Sequence, residues 1–467
     1  MAQNPGYHIE RISESIVSTK FEDIDKVTLR LAKLRVLDVL GCTMLGATCS
    51  GGAELADLAK SWGGKEESTL FVFGGKVPAQ TAAMVNSAVT RIVDYEAIGA
   101  LVEGVDLPSH ISSTTVITAI AMAESQNARG KDLLTGLLVG DDIAARILYA
   151  SGVQDGKNFE WGWDGNGTVN AFGAAAIAGY MLKLSKKQMQ NAFGIVLNQL
   201  SGTFQNLWDF SMAFALTSAF SARNGICSAE LAKAGWDGPN DPLFSRYGYF
   251  FLFTDGCSDE EILTKDIGKK FYTEATFKPY PSCRSTHYAV DCAMKFVSEH
   301  DIDANSIEEV IIKLPPGLKN FFTAQPFALR ENPQVDMANS ITFGVANVLL
   351  RKEAKFEHYR KEFAGEAAIA DITGKSTIVD LDPDELEQRH AQIKVKLKDG
   401  REYSSEVQSA RGDYYNGSFT EEDVKEKFRY NVQYSKRISK DSGEKIIELV
   451  DNLDELDDIS ELTKLMV

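Results

Sequence analysis

The sequence predicts a mainly α protein, a large helical domain made from both ends of the chain with a smaller α/β domain inserted as a lid. Three observations carry this. Apolar residues recur at helical spacing through about the first 265 positions. After Phe277 the pattern changes to β-branched runs closed by turn residues. Helical spacing then returns over 420–449. The helical domain is therefore expected at 1–274 and 406–467, and the α/β domain at 275–405.

Taken in order, Val27, Leu31, Leu34 and Val36 to Leu40 fall at helical spacing, and Gly41 and Gly46 allow close helix contact. The stretches 112–125, 131–150, 169–184, 186–203, 211–234 and 285–299 repeat the pattern. Ser185-Lys186-Lys187-Gln188 has the form of a capping box. Beyond Phe277, Ile307 to Leu314 is a β-branched run closed by Pro315-Pro316-Gly317. Gln392 to Leu397 alternates apolar and polar, then turns through Lys398-Asp399-Gly400-Arg401 into Glu402 to Val407, which reads as a hairpin with one buried face. Helical stretches are expected at 338–352 and 383–390.

A chain of 467 residues allows two or three domains, and 44% hydrophobic with 25% charged residues is ordinary globular composition. Lys+Arg 49 against Asp+Glu 66 gives a net charge of −17, a field that repels nucleic acid and anionic membrane. An anionic substrate therefore needs a locally basic pocket. Cysteines 42, 49, 227, 257, 283 and 292 form no metal-ligand spacing, so reduced thiols in a cytoplasmic protein are expected. The first ten residues show no signal-peptide pattern, and the small-apolar run 171–184 is a buried helix rather than a membrane span.

Functional groups are densest at Lys278-Pro279-Tyr280-Pro281-Ser282-Cys283-Arg284-Ser285-Thr286-His287. The two prolines exclude helix and stiffen the first half. A helix is expected from near Ser285, so Arg284 and the first-turn N–H groups would converge on one spot, an arrangement that attracts anions. A loop whose polar residues simply face water is the plain alternative.

This segment resembles the signature of the MmgE/PrpD family, which includes 2-methylcitrate dehydratase, cis-aconitate decarboxylase and iminodisuccinate epimerase. The likeness recurs in Arg35-Val36-Leu37-Asp38, in Asn86-Ser87-Ala88 followed by Asp94-Tyr95-Glu96, and in His110-Ile111-Ser112-Ser113. It continues in Gly165-Asn166-Gly167-Thr168, Ala222-Arg223-Asn224-Gly225 and the tail Glu422 to Phe428. The resemblance implies the same two-domain fold and chemistry that makes or quenches a carbanion α to a carboxylate, in a pocket between the domains.

Asp94 and His110 match positions lining the family's active site, and an Asp–His pair is a sensible proton-transfer unit. Glu96 matches a second acidic position and could bond the same imidazole, or be a solvated loop carboxylate. Lys278 and Arg284 would hold substrate carboxylates, the arginine as a fork. His287 would be a second proton donor or a structural partner. Tyr280 and Cys283 join the substrate contacts, although a packed thiol is the simpler reading of Cys283.

Two departures stand out. The family commonly has His where this chain has Asp164, and Lys near Phe214, so two cationic groups are replaced by an acid and a phenyl ring. The expected pocket then takes a less anionic substrate, one with an amine or an apolar arm. Trp161 and Trp163 flank the turn before Asp164. No dinucleotide loop or clustered metal ligands are found, so the expectation is an enzyme without metal or organic cofactor, assembled as a homodimer. A lyase of dehydratase or decarboxylase type leads. An epimerase of an amino- or imino-dicarboxylate, or a binding protein that has lost catalysis, are the alternatives.

Overall fold

The computed structural model describes residues 6–107, 109–153, 162–386, 389–413 and 417–467. Pro108 and Trp161, which the sequence sets beside His110 and Asp164, lie outside them. Helix Lys26–Gly46 is the central element of the helical part. Asp25 caps it by accepting from the Val27 and Thr28 N–H groups, and every residue from Leu34 to Gly46 is buried. A helix buried all round must be enclosed by others. Helices Ala79–Arg91, Ile111–Ser125 and Glu421–Ser435 enclose it, the last arriving from the far end of the chain.

Helices Gly130–Ala150, Gly165–Met181 and Phe214–Lys233 pack beside this centre. Small residues set their spacing: a Cβ added at Gly225 would lie 2.4 Å from the Ala174 Cβ. One hydrophobic core joins residues from Ile9 to Phe277 with Val424 to Met466. A second core, from Tyr280 to Leu397, belongs to the α/β part. There, strands Ile307–Leu314, Ser376–Asp380, Ala391–Leu397 and Glu402–Val407 form one sheet with Ser376–Asp380 at one edge. Ser376–Asp380 runs parallel to Ile307–Leu314, and the other pairs are antiparallel. The amphipathic helix Arg284–Glu299 lays its apolar side on this sheet and on helix Ile341–Arg351.

Three expected elements differ. The 186–203 stretch stays helical only to Leu197, because Gly202 and Phe204 exchange backbone bonds with Asp164 and Gly162 at 3.2 and 2.9 Å. Helix is confined to a short turn, Pro383–Glu385, where 383–390 was expected; residues 387 and 388 lie outside the description. Pairing with Ile307–Leu314 and Glu402–Val407 draws the chain into strand by Ala391, overriding local helical spacing. The long loop 99–109 contains a small strand pair, Leu101–Val102 with Val105–Asp106. Among the described residues no helix is long and apolar enough to cross a membrane, and all six cysteines are free thiols.

Candidate active site

Helix Ala79–Arg91 ends at Arg91, and the chain turns away through Asp94 in the left-handed region at φ 48°. Asp tolerates that conformation better than most residues. The turn buries the Asp94 carboxylate against three cationic or imidazole groups. Lys278 donates to its Oδ1 at 2.5 Å and to its backbone carbonyl at 2.9 Å. Arg91 donates to the same Oδ1 at 2.8 Å, and His110 Nε2 lies 3.5 Å away. Burial opposes the charged carboxylate, but Lys278, then Arg91 and His110, outweigh it and hold Asp94 well below the usual carboxylate range.

The imidazole of His110 sits at the N-cap of helix Ile111–Ser125, its side chain 14% exposed. Three asparagine contacts fix the backbone there. Asn166 Oδ1 accepts from the His110 N–H at 2.8 Å and from the Ser109 hydroxyl at 3.2 Å, and Asn170 donates to the His110 carbonyl at 3.1 Å. The ring's Nδ1 is 2.8 Å from Glu96 Oε1. With Glu96 ionised, Nδ1 carries the hydrogen and Nε2 is left with its lone pair. Glu96 is therefore the orienting carboxylate, and Asp94, expected in that role, flanks the basic nitrogen instead. Burial, then Arg91, lowers the His110 pKa against the opposing pull of Glu96. The ring is neutral at neutral pH and able to accept a proton.

The Lys278 segment is brought to this centre, but its side chains divide. Lys278 is fully buried, committed to Asp94, and does not line the cavity, so it sets the charge of Asp94 rather than gripping a substrate carboxylate. Arg284 does line it, yet its guanidinium pairs with Asp413 and donates to the Arg411 carbonyl at 3.1 Å. The expected fork is thus already filled from within the protein. His287 is buried behind it, with Nδ1 3.1 Å from Arg284 and Nε2 donating to the Ser282 carbonyl at 3.2 Å. Burial, Arg284 and Lys278 push its pKa far down. Of its two expected roles, the geometry fits the structural partner and not the second proton donor.

Tyr280 is likewise turned inward, donating to Asp291 at 2.6 Å. Cys283 faces the cavity; burial, then Asp94, raises its pKa, which leaves a thiol and not a thiolate. Asp164 also faces it, capping helix Gly165–Met181 through the Asn166 N–H at 2.9 Å and accepting from Thr217 at 3.2 Å. Burial raises its pKa. Phe214 is behind the wall, its ring 4.6 Å beneath the Arg91 guanidinium. Gly167 is required by packing, since an added Cβ would fall 1.9 Å from the Ser201 carbonyl oxygen.

These groups open on a cavity of about 140 Å³ lined from both parts of the chain. Sequence reasoning missed Arg91, the buried cation that stands on the cavity wall. A signal existed: Arg91 is the sole charged residue of the 79–91 helix and lies three before Asp94. It also missed Phe321 and Phe322, whose rings contact each other at 4.4 Å and extend the wall. Nothing in their local sequence distinguishes them from core phenylalanines.

Asp94, Glu96 and His110 bring ligand atoms within 4.8 Å of one another, as do Glu353, Glu357 and His358. In the first group Asp94 Oδ1 already serves Arg91 and Lys278, so a divalent ion would have to displace two paired cations.

Behind the site, two buried ion pairs brace the segments. Arg35 pairs with Asp141 and reaches the Ser112 hydroxyl at 3.2 Å, fixing the helix that starts at His110. Lys427 pairs with Asp38 at 2.7 Å and donates to the carbonyls of Tyr95 and Lys278 at 2.6 and 3.0 Å. The motifs Arg35 to Asp38 and Glu422 to Phe428 thus act as scaffold.

Comparison with known proteins agrees with this architecture. Residues 10–261 match the MmgE/PrpD N-terminal domain and residues 280–455 the MmgE/PrpD C-terminal domain. A cis-aconitate decarboxylase of Homo sapiens is 24% identical, over 98% of this chain and 94% of that protein. A cis-aconitate decarboxylase of Aspergillus terreus is 26% identical over 59% of this chain and 57% of its own length. A cis-aconitate decarboxylase-like protein of Aspergillus oryzae is 23% identical over 89% of this chain and 88% of its own. With both domains matched in order across most of its length, the chain belongs to the MmgE/PrpD family.

Proposed function

We propose that the protein is a lyase of decarboxylase or dehydratase type that moves a proton at the carbon α to a carboxylate of a small carboxylic acid, using side chains alone. The lyase class is supported by the family and by relatives named as cis-aconitate decarboxylases. The observation that carries the mechanism is the Glu96–His110–Asp94 arrangement at the cavity wall. A neutral His110 Nε2 takes or returns the proton, and the imidazolium so formed has a carboxylate at each nitrogen. In decarboxylation the bond to the departing CO₂ breaks, its electron pair stays on the α-carbon, and that carbon takes a proton that Nε2 has first picked up from solvent. In dehydration Nε2 removes the α-proton and hydroxide leaves from the neighbouring carbon.

Arg91 supports the substrate carboxylate, because it lines the cavity and keeps Nη2 free of hydrogen bonds to the described residues, whereas Arg284 is paired with Asp413. The epimerase reading loses support, since His287 does not line the cavity and cannot serve the opposite face of a stereocentre. The test is ¹H NMR in D₂O with β,γ-unsaturated and β-hydroxy acids. Turnover with solvent deuterium entering the α-position is expected, and His110→Ala should lower it about 10²–10⁴-fold with little change in melting temperature. Equal turnover in His110→Ala sinks the assignment. Dialysis against a chelator is expected to leave the rate intact; loss that a divalent ion restores would overturn the cofactor-free mechanism.

A further inference from the structure

We infer that the site takes a carboxylic acid with a single carboxylate and a bulky apolar arm, and discriminates against di- and tricarboxylates. The inference rests on the lyase reading and narrows its substrate class. Two observations carry it.

The first is the charge inventory of the wall. Among the described residues, the cationic side chains lining the cavity are Arg91 and Arg284. Arg284 is committed to Asp413 and to the Arg411 carbonyl. Arg91 donates from Nη1 to Asp94 and its buried Nε faces Glu96 Oε1 at 3.7 Å, while Nη2 has no hydrogen-bond partner among the described residues. Phe214 beneath the guanidinium holds its plane. Against these stand two lining carboxylates, Asp94 and Asp164, while Lys278 spends its charge behind the wall. One guanidinium nitrogen, Nη2, is left over, which suits one carboxylate. A second or third would find no further cation on the wall to pair with, since Lys278 and Arg284 are already paired with Asp94 and Asp413.

The second observation is the apolar part of the cavity surface. Leu148, Val153, Leu207, Phe253 and Phe322 face the same space. The aromatic rings are contiguous: Trp163 meets Phe253 at 4.9 Å, and Phe253 stacks on Tyr249 at 5.8 Å. Ser109, Asn166, Thr168, Ser285 and Asn339 also line the cavity but carry no charge to offset a further carboxylate, whereas an alkyl or aryl arm is stabilised by leaving water at the apolar part. The side chains come from both parts of the chain, so an arm seated on them would also touch the two parts at once.

Isothermal titration calorimetry on the full chain tests this with ligands that cannot react. 3-Phenylpropanoate and 4-methylpentanoate are compared with propane-1,2,3-tricarboxylate. The monocarboxylates are expected to bind at least about tenfold more tightly. Leu207→Asp, at a partly exposed wall position, should weaken 3-phenylpropanoate about tenfold or more, and Trp163→Ala provides the same reading should the first variant melt early. Tighter or equal binding of the tricarboxylate overturns the inference. So does undetectable binding of both monocarboxylates, or unchanged affinity in the wall variants. Because these ligands do not turn over, the outcome stands apart from the deuterium experiment, whose failure would instead remove the lyase reading.

Discussion

At Asp94, burial and charge compete in one side chain, and charge wins because two full cations lie within hydrogen-bond range. The same cations reach His110. Burial lowers its pKa most, then Arg91, while Glu96 raises it, so part of the proton affinity of the proposed base rests on neighbours that can be changed singly. Replacing Arg91 by Gln removes a lowering influence, and the acidic limb of the pH–rate profile should move to higher pH, alongside weaker substrate binding. A limb that stays in place would show that burial alone sets it. Glu96→Gln breaks the other side of the balance. It leaves a ring held by an amide that can donate or accept, so the fraction with Nε2 unprotonated falls, and kcat is expected to drop by about 10²-fold with KM little changed. A drop confined to KM would place Glu96 in binding instead.

Among the elements, the closing helix Glu421–Ser435 has the widest reach, since Lys427 on it holds Asp38 and two site-bearing carbonyls. Lys427→Met should cost about 3–5 kcal/mol in chemical denaturation, because Asp38 is left as an unpaired buried charge. Adding Asp38→Asn to that variant should recover much of the loss; no recovery would mean that the carbonyl contacts dominate. The helices themselves were legible in the sequence because their periodicity is local, as in 112–125 and 131–150. So was the hairpin 392–407, which is written in a few adjacent residues. What was not legible is pairing over long separations. Arg284 meets Asp413, 129 residues on, and no local pattern announces that its fork is already occupied. The 383–390 stretch misled because strand pairing that begins at Ala391 draws the chain out of helix just beyond it. Arg91 was overlooked beside a motif whose acidic residues drew the attention.

For the whole molecule, acid response draws on four imidazoles that burial holds down, His8, His110, His287 and His358. His110 and His287 are both held below the ordinary value of 6.5, burial being the main cause. Below that pH the unfolded chain binds protons that these folded rings refuse, so their contribution to stability is present above 6.5 and is lost as pH falls toward the folded values. His287→Gln keeps a donor for Ser282 and an acceptor for Arg284 while removing the titration. Its unfolding free energy should fall less than the parent's between about pH 7.5 and about pH 5.5. Parallel curves for the two would assign the acid sensitivity elsewhere. The Lys427 contacts have a further consequence on the ribosome. Translation delivers Asp38, then Tyr95, His110 and Lys278, and only much later the ammonium that ties the first, second and fourth together. The nascent chain therefore carries every group of the proposed proton relay long before it carries their clasp, and is expected to stay enzymatically silent until Lys427 has been added. A ribosome that stalls or terminates upstream of codon 427 releases a product with the chemistry present and the geometry missing.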